Sequence, residues 1–138
     1  MANAAAKMFT SYLDSREMNY SILDEAQRVI RMGWTLEGTK MAIFFEFAED
    51  GANVRMEGRE FLNFPADKIN TMYKIVNDCN RKYRWIKFSV DAESNTAVVE
   101  CDAVIQLDSC AEEVSELMFR MIKIVEDAYP LMMKALWA

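Results

Sequence analysis

The residues best suited to chemistry in this sequence lie in one stretch, NDCNRKYRWIKFSV, at positions 77–90. A cysteine, Cys79, stands near two asparagines, Asn77 and Asn80. Three interpretations compete: a thiol nucleophile with amide helpers, a nucleic-acid surface of cations and stacking rings, or a helix that ends and runs into a strand. The interleaved basic and aromatic residues of the stretch are Arg81, Lys82, Tyr83, Arg84, Trp85, Lys87 and Phe88.

Histidine is absent from the chain. It is the side chain that most readily transfers protons near neutral pH, and it is the commonest metal ligand. Its absence excludes Ser-His-Asp and Cys-His catalysis and histidine-based zinc sites. Because a helix C-terminus raises the pKa of a thiol, we interpret Cys79 as a small buried hydrophobe. We therefore predict a protein that is not an enzyme and that needs no cofactor and no metal, with carboxylate or lysine chemistry formally open.

Other patterns that suggest a site have simpler interpretations. Asp91, Glu93 and Asn95 are spaced like the first ligands of a calcium loop, but Thr96 stands where that loop requires glycine, so we predict a hairpin turn. The three cysteines show no CxxC spacing, which indicates neither a disulfide framework nor a zinc site. The glycines form no phosphate-binding motif.

Length and charge narrow the class of protein. The 138 residues predict one domain over 1–138, and the net charge of −6 disfavours nucleic acid and acidic membranes as partners. The sequence has no signal-peptide core and no apolar run long enough to span a membrane, so we expect a cytoplasmic protein with no membrane contact. The eleven methionines either fill the core or form an adaptable surface, and we favour the core.

Apolar periodicity predicts the order α-β-β-β-α-β-β-α, an α+β fold with helices packed on an antiparallel sheet. Residues 18–27 are expected to be a connection. We expect Ser109 and Glu112 to form a capping box and Pro130 to end or kink the last helix near residue 129. The predicted helices cover 4–17, 64–83 and the segment after 109, and the predicted strands cover 28–36, 41–48, 53–59, 84–90 and 96–105.

The hairpin FEFAEDGANV, the second helix with Pro65 near its start, its exit NDCNRKY and the strand RWIKFSVDAE together resemble the YbjN family. The resemblance spans roughly residues 5–135. It implies the type III secretion chaperone-like fold, whose better-known members are small acidic homodimers that hold extended stretches of other proteins. The family brings no agreed catalytic residues. The resemblance therefore implies a protein client and a homodimer.

We predict a protein-interaction module, chaperone-like or regulatory, that binds a protein client through an apolar sheet or helix surface. Inward alternation of Ile86 and Phe88 would send Trp85 to the other face of its strand. The alternative is a nucleic-acid-associated regulator that uses residues 81–88. The predicted partner-binding residues are Trp34, Phe44, Trp85 and Trp137 as anchors, with Arg55, Arg84 and Lys87 as their polar neighbours.

Overall fold

The computed structural model describes residues 3–138, which form helices and one antiparallel sheet. The helices are α1 (Ala4–Ser15), α2 (Ile69–Lys82), which a 3₁₀ turn at Ala66–Lys68 precedes, and α3 (Cys110–Trp137). The strands are β1 (Ser21–Ile22), β2 (Val29–Thr35), β3 (Lys40–Phe47), β4 (Asn53–Arg59), β5 (Lys87–Asp91) and β6 (Thr96–Val104).

The sheet has the strand order β1-β2-β3-β4-β6-β5. The chain leaves β4, passes through α2, forms β5 at the edge and returns as β6 beside β4. The predicted α+β fold is confirmed, with one added element. The segment 18–27, predicted as a connection, contains the two-residue strand β1, which pairs with Ile30 and Arg31 of β2. Two residues are too few to give an alternating pattern.

Alternation along β3 separates the two faces of the sheet. Phe45 and Phe47 point to the helices, and Phe9 of α1 packs against both rings at centroid distances of 4.8 and 5.8 Å. The opposite face carries Phe44 and Glu46 among charged neighbours. The methionine prediction is confirmed, because the core includes Met32, Met41, Met56, Met72, Met118, Met121 and Met132.

Helix α3 departs from the prediction at both ends. It continues through Pro130 to Trp137, so an end near residue 129 is wrong, and the alternative, a kink at Pro130, stays a prediction. An interior proline costs about 3 kcal/mol, while burial of Met132 and Leu136, both fully buried, contributes about 1.5–3 kcal/mol each. At the start, Ser109 makes no side-chain cap bond, so the predicted capping box is absent. Glu113 accepts from the Gln106 N–H instead, at 2.9 Å.

Within residues 3–138, no helix combines the length and the apolar character needed to cross a membrane.

Candidate functional site

The stretch at 77–90 is a helix that ends and runs into a strand, and Asn80 joins the two. Its side-chain amide donates to the Phe88 carbonyl at 3.0 Å, and its Oδ1 accepts from the Phe88 N–H at 2.7 Å. The amide thus takes the place of a neighbouring strand at the outer edge of β5. Asn80 is half-buried between the helix and the strand, whereas Asn77 is exposed.

The Lys87 side chain caps the C-terminal end of α2. Its ammonium donates to the carbonyls of Asn80 and Tyr83, at 2.9 and 2.8 Å. These carbonyls lie at the C-terminal end of the helix, where a cation is favoured. The charge of Lys87 is therefore already engaged within the chain.

Trp85 lies in a tight turn before β5. The strand starts at Lys87, so the predicted start at 84 and the placement of Trp85 on a strand face are wrong. Trp85 has φ +72°, and the Ile86 N–H donates to the Arg84 carbonyl at 2.7 Å across it. This is a three-residue turn in a rare, strained form. A positive φ at a bulky residue costs about 1–3 kcal/mol, yet the indole is 59% exposed.

The Trp85 side chain lies against the outer side of α3. The guanidinium carbons of Arg84 and Arg120 lie 5.7 and 5.5 Å from the indole ring, which is cation–π range. Beside the ring is an open groove of about 410 Å³. We call this groove and Arg84 the Trp85 surface. The groove is lined by Trp85, Glu116, Phe119, Arg120, Lys123 and Ile124.

Trp34 adjoins this surface through Phe119. Their ring centroids are 6.1 Å apart in an edge-to-face arrangement, and Phe119 is 44% exposed. Trp34 itself is half-buried, and among residues 3–138 its indole N–H finds no hydrogen-bond acceptor. Phe119 therefore contacts Trp34 and also lines the groove beside Trp85.

Phe44 and Arg55 lie elsewhere, on the sheet face opposite Phe45. They share a shallow groove of about 270 Å³. The Arg31 guanidinium lies 5.8 Å from the Phe44 ring, and Arg55 pairs with Glu100 at 2.6 Å. Exposed ion pairs of this kind contribute little to stability, about 0–1 kcal/mol.

Trp137 is remote from the Trp85 surface. It lies eighteen positions beyond Phe119 on α3, which corresponds to about 27 Å along the helix axis. The structure thus brings Arg84 next to Trp85, places Trp34 beside the groove through Phe119, and leaves Trp137 apart. Sequence reasoning missed Arg120 and Lys123 as neighbours of Trp85. The sequence signal for these neighbours was the broad apolar surface of α3, where Phe119 lies outside the stripe of buried residues that includes Val114, Met118 and Met121.

The cysteines have the environment of structural residues. Burial raises the pKa of the Cys79 thiol, although Lys82 acts in the opposite direction. Burial also raises the pKa of Cys101 and of Cys110. Protonated, buried thiols are poor nucleophiles. Within residues 3–138, no three cysteine or carboxylate side chains come together as a metal site.

The acidic segment after β5 is a hairpin turn, as predicted. The Asp91 carboxylate accepts from the N–H groups of Glu93 and Ser94, at 3.1 and 3.4 Å. Its other oxygen pairs with Arg59 at 3.3 Å. The Arg59 hydrogen bond lowers the pKa of Asp91, and the turn N–H groups act in the same direction.

Comparison with solved structures shows the fold. The chain is similar to the crystal structure of YbjN from E. coli, with a TM-score of 0.63, 9% identity and 90% of each chain covered. It is also similar to a chain of the HopA1-SchA chaperone–effector complex, with a TM-score of 0.50, 13% identity, and 86% of this chain and 90% of that chain covered. The chaperone-like fold predicted from the sequence is thereby confirmed.

Comparison of sequences shows the family. No curated protein matches the chain. Residues 5–132 match a family model described as "Putative bacterial sensory transduction regulator". Because that match covers nearly the whole sequence, the protein belongs to the YbjN family.

Proposed function

We propose that this protein is a non-enzymatic protein-interaction module, regulatory or chaperone-like, which binds a protein client at the Trp85 surface. The observation that carries the proposal is Trp85 itself, an exposed residue with a backbone φ of +72° whose ring lies within cation–π range of two guanidinium groups. Tryptophan and arginine are the residues most enriched among those that dominate binding energy in protein interfaces.

The local structure supports this role because it holds Trp85 in place before any partner arrives. Asn80 ties β5 to α2, and Lys87 closes the helix end on the other side of the turn. A side chain that is already ordered loses little conformational entropy on binding. The regulatory description of the family and the occurrence of the fold in a chaperone–effector complex are consistent with a protein partner, although a fold alone does not determine a function.

The proposal includes a cytoplasmic location and a homodimer. A reducing compartment suits a chain whose three cysteines are unpaired. Exposed apolar side chains near the end of α3, Leu131 and Trp137, are suited to a contact between two copies. This contact is separate from the Trp85 surface and can be tested by the mass of the protein in solution.

The alternative is a nucleic-acid-associated regulator that uses residues 81–88. Arg81, Lys82 and Arg84 are exposed there, and the Lys82 ammonium lies 5.3 Å from the Tyr83 ring. Two observations weigh against it. The Lys87 charge is engaged by two carbonyls, and the whole chain carries a net charge of −6, which opposes a polyanion.

The test is affinity capture from the lysate of the native host, with and without nuclease. Trp85→Ala is compared with Tyr73→Ala, which removes another exposed aromatic side chain, 50% exposed on α2, that does not line the groove. We expect a protein that the wild type and Tyr73→Ala retain and that Trp85→Ala holds about 30-fold more weakly. Equal retention by Trp85→Ala refutes the proposal, and a signal that nuclease removes favours the alternative.

A further inference from the structure

The Trp85 surface is a basic region of an acidic protein. The cations on it are Arg84, Arg120 and Lys123, and the only carboxylate that lines the groove is Glu116. Glu116 is paired with Arg120 at 2.8 Å, and Asp127, which does not line the groove, is paired with Lys123 at 3.9 Å. Arg84 takes part in none of the ion pairs that residues 3–138 form. The charge of Arg84 therefore remains unbalanced at this surface, in a chain with 22 acidic and 16 basic residues.

The centre of this region is apolar. Trp85 and Phe119 are both exposed large rings on the groove, and the half-buried Ile124 lines it as well. The volume of about 410 Å³ is in the range of clefts that hold small ligands, about 300–1,000 Å³. An opening of this size accepts a large apolar side chain together with some of its backbone.

We infer that the occupant is an acidic segment of the partner protein that carries one large apolar side chain. The apolar side chain would lie between Trp85 and Phe119, and flanking carboxylates would meet Arg84 and Arg120. Arginine binds carboxylates with two parallel hydrogen bonds, and such charge-assisted bonds are the strong ones. The inference rests on the proposed function and specifies the chemistry of the client.

Charge complementarity decides between this occupant and others. A nucleic acid offers a phosphate at every nucleotide and draws its affinity from many cations along its path. Here the cations surround a single apolar groove, which suits an isolated apolar side chain among a few carboxylates. A basic segment would meet Arg84, Arg120 and Lys123 with like charge.

The test is selection of a random peptide display library on the immobilised full chain. An enriched peptide is then synthesised, and its binding to variants is measured by fluorescence polarisation. Arg84→Glu reverses one charge at the Trp85 surface. Lys74→Glu is the matched control, because it makes the same change of net charge at a highly exposed position on α2 that does not line the groove.

We expect enriched peptides with one aromatic or large aliphatic residue flanked by aspartate or glutamate. Arg84→Glu should lower the affinity for such a peptide by at least about tenfold, and Lys74→Glu should lower it by less than about twofold. Enrichment of neutral or basic peptides overturns the inference, as does equal weakening by both variants or no enrichment at all. Displacement of the peptide by oligothymidine at similar concentration assigns the surface to nucleic acid and overturns it too.

The two proposals fail in different ways. If the native partner depends on Trp85 but the selected peptides are not acidic, the client chemistry is wrong and the protein-interaction function stands. If Trp85→Ala changes neither capture from the lysate nor peptide binding, both are wrong.

Discussion

Removing the Asn80 side chain should destabilise the region around β5 strongly. Asn80→Ala deletes two hydrogen bonds to the backbone of Phe88, at 2.7 and 3.0 Å. Two such bonds contribute about 1–3 kcal/mol together. Phe88 is only 4% exposed, so its N–H and C=O would also lack full access to water, and an unsatisfied buried group costs about 1–3 kcal/mol. We expect the free energy of unfolding to fall by about 2–4 kcal/mol.

Urea denaturation measures this loss. With an m-value of about 2 kcal/mol per molar, the midpoint should fall by about 1–2 M. Asn77→Ala is the control, because it truncates the same residue type one turn earlier, where the side chain is exposed, and should change stability by less than about 0.5 kcal/mol. Asn80→Asp keeps an acceptor for the Phe88 N–H but replaces the donor to the Phe88 carbonyl with a carboxylate oxygen, which repels that carbonyl. Asn80→Asp should therefore also lower the urea midpoint. Equal midpoints for Asn80→Ala and Asn77→Ala would refute the reasoning.

Three further outcomes are expected. Gly58→Ala should lower the free energy of unfolding by about 1–3 kcal/mol, because the added Cβ would lie 2.5 Å from a methyl carbon of Val99. Gly33→Ala is the control: its Cβ meets nothing within 4 Å, so the same urea denaturation should show almost no change. Trp85→Gly should be more stable than Trp85→Ala by about 1 kcal/mol, because glycine tolerates the positive φ; equal midpoints would argue against strain at this turn. The Arg59 hydrogen bond lowers the pKa of Asp91 below its value in the unfolded chain. The ionised Asp91 therefore contributes to stability at pH values above the ordinary carboxyl pKa, and this contribution is lost as the pH falls through the folded pKa. Asp91→Asn should therefore reduce the fall in the free energy of unfolding at acid pH. An unchanged dependence of stability on pH would contradict the role given to Asp91.

Most of the fold follows from alternation and helical periodicity. The strand β3 is clear in the sequence because four apolar residues alternate toward the helices. The stripe of α2 through Met72, Val76 and Cys79 is equally regular, and all three are buried. These patterns report burial, and burial is what fixes a helix or a strand in a core. The strand β1 lacks such a pattern because it has only two residues and both are exposed. It is held by its pairing with β2, next to a turn in which the Asp24 carboxylate accepts from the N–H of Val29.

The Trp85 surface was only partly predictable. Basic and aromatic residues in 81–88 marked the right segment, but a residue-by-residue alternation placed Trp85 on a strand. A turn with positive φ at tryptophan runs against local preference, so no propensity indicates it. The partners on α3 lie more than thirty positions away, and only the packing of α3 against the rest of the chain brings Arg120 to the indole.

The conformation of Trp85 combines backbone strain with exposure. The strain costs about 1–3 kcal/mol, and the residue remains 59% exposed despite its contacts with α3. Glycine or asparagine at this position would make the same turn at lower cost. Asn80 and Lys87 nevertheless hold the turn from both sides. The proposed function accounts for this arrangement, because a ring held in place at the surface serves a contact with another protein. We therefore expect Trp85→Gly to be more stable than Trp85→Ala and yet to lose the partner to the same extent.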